Sequence, residues 1–354
     1  MNGMELVQKL EEKLKEIFSR VQGIELLGLR RESVVSDKQV DLDFNVQCNG
    51  SSFRVLVEVK SNGLPRTLRE AARQLKLISR SFADLSNAYQ IVAAPYISDV
   101  GMDLCKEEGV GCFDLVGNCY ISFGTIYIEM RGNKNLLPTT RSIKSIFSPK
   151  SSRITRVLLA DVKKWWRIQG LAKEANVSLG LASNIKNRLL DEDLLTEDGK
   201  SVRVKSPKRL LDTWANSYSY RKNKIREYYT LENPASLEMR VQAYCIERTI
   251  RCALGLFSGA SRVAPHVRFN KAFIYVDADV DLIVKNLGLK PVSSGANIAL
   301  LQPYDEGIFY KSREIDGLAV VSSIQLYLDL KTYKGRGEEA ADFLLKTRIE
   351  PEWQ

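Results

Sequence analysis

Asp41 and Asp43 in VDLDFNV, followed by Glu58 and Lys60 in RVLVEVK, are the residues whose types and spacing could do chemistry. Hard divalent cations such as Mg²⁺ or Mn²⁺ take oxygen ligands, which carboxylates supply. An ammonium beside the ion can order and polarise an attacking water, so the set suits phosphodiester hydrolysis. Side chains alternate along a strand, which puts Glu58 and Lys60 on one face of RVLVEVK. Val40, Leu42, Phe44 and Val46 alternate with Asp41, Asp43 and Asn45 in the same way, marking a neighbouring strand with a polar face. Between the two lies CNGSS, whose Asn49-Gly50 is a strong hairpin signal. Antiparallel pairing across that turn brings one of the two aspartates near Glu58. The residues alone leave both Asp41 and Asp43 open. A solvated strand face is the competing reading of the same charges.

The elements around these residues must position them. After Lys60 come SNGLPR, a run TLREAARQLKLIS with Leu68, Ala72 and Leu75 at helical spacing, an apolar strand AYQIVAAPYIS, a helix around MDLCKEEG, and VGCFDLVGN. In this order the region 1–135 resembles the PD-(D/E)XK restriction-endonuclease-like superfamily. That resemblance implies an α/β/α fold with Asp43 (or Asp41) and Glu58 as metal ligands. It makes Lys60 the water-positioning group and sets Gln74 of the helix beside the site.

A chain of 354 residues with 44% hydrophobic content has length for two or three domains and enough apolar residues to give each a core. No stretch is long and apolar enough to span a bilayer, and MNGMELVQKLEEKLKEIF reads as a charged amphipathic helix without a signal-peptide core. A soluble cytoplasmic protein without membrane contact is the expectation. The six cysteines form no CxxC pair, so they read as small buried apolar residues rather than zinc ligands. With His266 as the single histidine, histidine-based catalysis is nearly excluded.

The net charge of +9 is unevenly spread: residues 141–230 hold 20 Lys+Arg against 9 Asp+Glu, leaving 32 against 34 for the rest. A basic block of this kind is the footprint of phosphate binding. Within it RITRVLLADVKKWW, GLAKEANV and SLGLASNIKNRLLDEDLL read as helices, the last with Ser178 as N-cap, and LLTEDGKSVRVK as a hairpin turning at Asp198-Gly199. Helix, helix, turn, helix and wing is the pattern of a winged helix-turn-helix. Its second helix enters the major groove and its wing follows the backbone. Ala182, Ile185 and Leu189 then face inward, leaving Ser183, Asn184 and Asn187 for base edges. Lys186, Arg188, Lys200, Arg203 and Lys205 suit phosphates. A winged helix used for protein contacts is the alternative. Trp165 and Trp166 read as packing. Tyr218, Tyr220, Tyr228 and Tyr229, interleaved with Arg221, Lys222, Lys224 and Arg226, either touch nucleic acid or pack inward.

Beyond residue 233 the order of helices and strands predicts a small mixed α/β domain. Its NIALLQPYDEGIFY, with strands at NIALLQPY and GIFY, and its VVSSIQLYLDLKTYKGRGEEAADFL resemble the C-terminal region of AbiE-type antitoxins. The resemblance spans about 150–354, since a winged helix precedes this region in that family as it does here. It implies a DNA-binding, autoregulating protein of a type IV toxin-antitoxin system, with a nucleotidyltransferase-like toxin as partner. Asp277, Asp279 and Asp281 in VDADVDL invite a metal reading, but acidic residues opening a helix are favoured by its dipole alone.

The sequence therefore predicts an α/β multi-domain chain. It comprises a nuclease-like domain at 1–145, a winged helix-turn-helix with basic connector at 146–232, and an AbiEi-like α/β domain at 233–354. Double-stranded DNA is the expected ligand, and a homodimer would read a palindromic site. Two functions follow: a Mg²⁺- or Mn²⁺-dependent endonuclease delivered to DNA by the winged helix, or an antitoxin-type repressor carrying a silent nuclease-like module.

Overall fold

A computed structural model describes residues 2–35, 38–80, 88–135, 146–266 and 269–354, in two units: 1–141 with 191–193, and 142–190 with 194–354. The first is organised by one tight turn. Helix α1 (Gly3–Ser19) leads into strands β1 (Ile24–Val35), β2 (Lys38–Cys48) and β3 (Ser51–Val59). Between β2 and β3 only Asn49 and Gly50 remain, both with positive φ (49° and 77°), as a two-residue type I′ hairpin loop requires. That loop sets the register: Cys48 faces Ser51 and, stepping outward, Asp43 faces Leu56 and Leu42 faces Val57.

Helix α2 (Pro65–Arg80), β4 (Tyr89–Ala94), α3 (Asp99–Glu107), β5 (Gly111–Asp114), β6 (Cys119–Phe123) and β7 (Ile126–Met130) complete the unit. The seven strands lie in sequence order, with β3, β4 and β5 mutually parallel and the other pairs antiparallel. Alternation along β2 and β3 divides their apolar residues between the two faces. Leu42, Phe44, Val55 and Val57 pack with Leu10, Leu14 and Phe18 of α1, while Leu56 packs with Leu68, Ala72 and Leu75 of α2. Each fully buried side chain of this size contributes roughly 1.5–3 kcal/mol. The result is helices on both faces of a mixed sheet.

The second unit begins with α4 (Pro149–Ala160), β8 (Trp166–Arg167), α5 (Ile168–Glu174), α6 (Leu179–Asp191), β9 (Leu195–Asp198), β10 (Ser201–Val204) and α7 (Pro207–Ala215). Strands β8, β10 and β9 form a small antiparallel sheet. There follow β11 (Lys224–Tyr229), α8 (Pro234–Glu247), β12 (Cys252–Leu254), α9 (Leu256–Val263), β13 (Ala272–Val276), α10 (Asp281–Leu287), β14 (Lys290–Pro291), β15 (Ile298–Gln302), β16 (Arg313–Ile315), β17 (Leu318–Val320), α11 (Ser323–Lys331) and α12 (Gly337–Leu344). Their sheet runs β14-β11-β15-β13-β12-β17-β16. Gly337 is required at the start of α12, because a Cβ there would lie 2.4 Å from the Leu330 carbonyl oxygen.

Two expectations differ from this arrangement. The expected boundary at 232/233 cuts through continuous packing: β11 lies between β14 and β15, and one apolar core runs from Ile146 to Ile349. The basic connector is thus structural, with Tyr218, Tyr220 and Tyr228 buried and only Tyr229 of the four exposed. GIFY, expected as a strand, is instead a 3₁₀ turn at Glu306–Phe309, because the Asp305 side chain accepts the Gly307 N–H at 2.8 Å and curls the chain. Among the described residues no helix is long and apolar enough to cross a membrane.

Candidate functional site

Glu58 and Lys60 stand together at the end of β3, with Lys60 Nζ 2.7 Å from Glu58 Oε1. The Lys60 N–H bonds the Ala93 carbonyl at 2.8 Å, tying this strand end to β4. Burial pushes the Glu58 carboxyl above its usual range; Lys60 opposes the rise and the charge of Asp41 adds to it. Asp41 is one step beyond the Leu42–Val57 pair, and its Oδ2 accepts the Val59 N–H at 2.7 Å. Asp43 faces Leu56 instead and is gripped by Arg54, whose Nε and Nη2 donate to its two oxygens at 3.0 and 2.7 Å. Of the two aspartates, the register therefore sets Asp41 with Glu58 and commits Asp43 to an arginine. Gln74 is exposed on α2, and none of the described hydrogen bonds reaches it.

Two carboxylates in mutual repulsion fit part of a hard cation's oxygen shell, which for Mg²⁺ is usually completed by water. Among the described residues no group of three or more His, Cys, Asp or Glu side chains forms a metal cluster. Asp114, which the sequence reading passed over, is fully buried at the end of β5. It accepts from the Ile97, Val116 and Asn118 N–H groups and from the Asn118 side chain, so it braces loops rather than reacting.

In the second unit Ser178 Oγ accepts the Leu181 N–H at 3.3 Å and opens α6. Ala182, Ile185 and Leu189 are buried, which turns Asn184 and Asn187 to solvent with Ser183 half-buried beside them. Lys186 and Arg203 are less free than their charge suggests. Lys186 reaches Glu197 on β9 at 3.0 Å, and the Arg203 guanidinium lies 4.7 Å over the Trp165 ring. Arg188 is half-buried, whereas Lys200 and Lys205 are exposed at the turn and base of the β9–β10 hairpin. Gly199, with φ 56°, makes that turn. Trp166 is buried in the core, as expected of packing.

The DxDxD run is occupied otherwise than by metal chemistry. Asp277 pairs with Arg251 at 2.5 Å, Asp279 accepts the Asp281 N–H at 3.2 Å, and Asp281 opens α10 while pairing with Arg226. A hub with no local sequence signal lies deeper, around Asp329 of α11. Its carboxylate accepts from Tyr218 at 2.6 Å, from Tyr275 at 3.0 Å and from Gln325 Nε2 at 2.6 Å. Burial pushes this acid up to about 6, against the pull of those hydrogen bonds and of Arg156.

Residues 203–350 match the family described as "Transcriptional regulator, AbiEi antitoxin, Type IV TA system". The AbiEi match begins in β10 and extends beyond α12, so it takes in the large sheet of the second unit and the Asp329 hub, while α4 to α6 lie upstream of it. No curated protein matches the chain. A solved apo structure of EndoMS aligns with 29% of this chain at 16% identity and a TM-score of 0.21. The alignment spans 44% of that chain, and a likeness so slight carries no argument.

Proposed function

We propose that the protein is a DNA-binding transcriptional regulator of the AbiEi antitoxin type. In it α4 to β10 act as a winged helix, with α6 as the reading helix and the β9–β10 hairpin as the wing. The observation that carries this reading is the outward pair Asn184 and Asn187 on a capped helix, followed by a hairpin with exposed lysines, in the most basic part of the chain and leading directly into the AbiEi match. Asn can bond adenine with two hydrogen bonds, and lysines neutralise phosphates. A nucleotidyltransferase-like toxin is the partner this reading calls for. Fluorescence anisotropy with the DNA upstream of the protein's own gene tests it. Affinity should fall log-linearly with salt and exceed that for scrambled DNA by about 10³ or more. Equal affinity for both DNAs would reject a regulator.

A second reading rests on Asp41 facing Glu58 with Lys60 alongside. Asp41 and Glu58 would hold a divalent cation, which when bound stabilises charge on a phosphodiester's departing oxygen. Lys60 would orient the attacking water, and Asp43 would serve only to pin Arg54. Cleavage of DNA in Mg²⁺ or Mn²⁺ should then drop on the order of 10²-fold or more in Glu58→Ala, Lys60→Ala and Asp41→Ala. Asp43→Ala should retain activity. Calorimetric titration of Mg²⁺ gives a readout without turnover: binding should vanish in Asp41→Ala and persist in Asp43→Ala. A wild type that neither binds the ion nor cuts any DNA substrate leaves the module silent.

A further inference from the structure

Arg156 of α4 is only 4% exposed, yet its Nε and Nη1 meet no hydrogen-bond acceptor. Its guanidinium lies 4.8 Å over the Trp214 ring and bonds the Tyr304 hydroxyl, which ease the charge, but neither takes the Nε and Nη1 N–H groups. Asp329 feels the charge, but its oxygens are already occupied by Tyr218, Tyr275 and Gln325. Other inward-lying arginines of this unit have acids: Arg153 has Asp305 and Glu306, and Arg262 has Glu238. A buried cation with unmatched donors is costly, and native proteins satisfy such groups with water, an ion or a ligand.

Arg156 borders a cavity of about 280 Å³ that lies wholly within the second unit, between α4, α5 and the turn at Glu306–Phe309. Acids line it as well: Glu174 accepts the Tyr310 hydroxyl at 2.8 Å, and Glu306 accepts from Arg153 at 2.6 Å and Asn176 at 3.0 Å. Arg251, over the Phe309 ring at 4.6 Å, sends Nε and Nη2 to Asp277, while its Nη1 enters none of the described hydrogen bonds. What the cavity offers an anion is the Nη1 of Arg251 and, once turned, the unmatched donors of Arg156. Its remaining walls, Val157, Phe309 and Tyr310, are apolar or aromatic.

We propose that this cavity binds a small organic anion, with its carboxylate or phosphate on Arg156 and Arg251 and its apolar body against Val157, Phe309 and Tyr310. Because Nε and Nη1 of Arg156 are shut off from water, binding turns that side chain from Trp214 towards the cavity. The proposal does not depend on what DNA the protein reads.

Calorimetry and thermal unfolding of the full chain with benzoate, phenyl phosphate and the neutral benzyl alcohol test it. At least one of the two anions should bind saturably and raise Tm, and the alcohol should do neither. Arg251→Gln, at a partly exposed side chain that should tolerate change, should weaken that binding about tenfold or more, with partial recovery in Arg251→Lys. Arg156→Met should abolish binding and raise the Tm of the anion-free protein, since it removes the unmatched donors. If Arg156→Met does not fold, the Arg251 variants decide alone. Failure of both anions to bind, or equal binding to wild type and Arg251→Gln, overturns the site.

Discussion

Asp329→Ala is expected to cost the second unit on the order of 3–5 kcal/mol, and Asp329→Asn to flatten its stability between about pH 4 and about pH 6. The first figure comes from orphaned donors. Removing the carboxylate leaves the Tyr218 and Tyr275 hydroxyls and the Gln325 amide without their acceptor in a fully buried site, at about 1–3 kcal/mol each, partly recovered by relaxation. The pH effect follows from the rise of this acid from 3.8 to about 6 on folding, chiefly through desolvation. The folded chain then holds a proton that the unfolded chain has lost. Its contribution is full below pH 3.8, falls as pH rises towards 6 and is gone above it. The shift corresponds to about 3 kcal/mol. Its phenol neighbours Tyr218, Tyr275 and Tyr304 do not titrate in that window, because burial raises all three from an already high value. Urea unfolding of wild type and Asp329→Asn across that range isolates the term, since every other group cancels in the difference. Parallel pH profiles for the two proteins would remove Asp329 as the titrating group.

The hub illustrates what a one-dimensional reading misses. QLYLDLK reads as an apolar helix, and nothing near it names Tyr218 and Tyr275, which stand 111 and 54 residues away in sequence. Burial of the connector tyrosines has the same origin: their spacing fits either a nucleic-acid surface or a helix packing them inward, whereas Tyr218 is buried on distant Asp329 and Tyr228 lies in β11 opposite Ile298 of β15. Local signals did better. Asn49-Gly50, Ser178 as a cap and the inward set Ala182, Ile185 and Leu189 all rest on short-range chemistry, and the structure contains each. The second hairpin is present too, but its turn falls one residue after the expected Asp198-Gly199, at Gly199 and Lys200 between the paired Asp198 and Ser201. The choice between Asp41 and Asp43 was also legible. A two-residue loop pairs 48 with 51, and counting outward from it reaches 41 opposite 58, so the turn itself argues for Asp41. The resemblance to the nuclease-like superfamily puts Asp43 first, and in the structure Arg54 holds that residue.

Within the proposed DNA-reading role, Asn184→Ala and Asn187→Ala should each weaken binding at the preferred site by about 1–3 kcal/mol and leave binding to unrelated sequences unchanged. Both side chains are exposed on the face of α6 opposite Ala182, Ile185 and Leu189, and neither is held by a described hydrogen bond, so both amides are available to a base edge. Lys200→Ala and Lys205→Ala should behave differently. An exposed ammonium at the hairpin meets phosphate on any sequence, so each substitution should lower affinity uniformly and reduce the slope of log K against log salt by about 1. Lys186 and Arg203 should count for less than their charge implies, because Glu197 and the Trp165 ring already engage them. Competition binding of the four single variants on specific and scrambled duplexes, each at several salt concentrations, separates the two behaviours. Sequence-independent losses at both asparagines would move them to the backbone and require another element to read the bases. Wild-type affinity in all four variants would remove α6 and the hairpin from the DNA interface altogether.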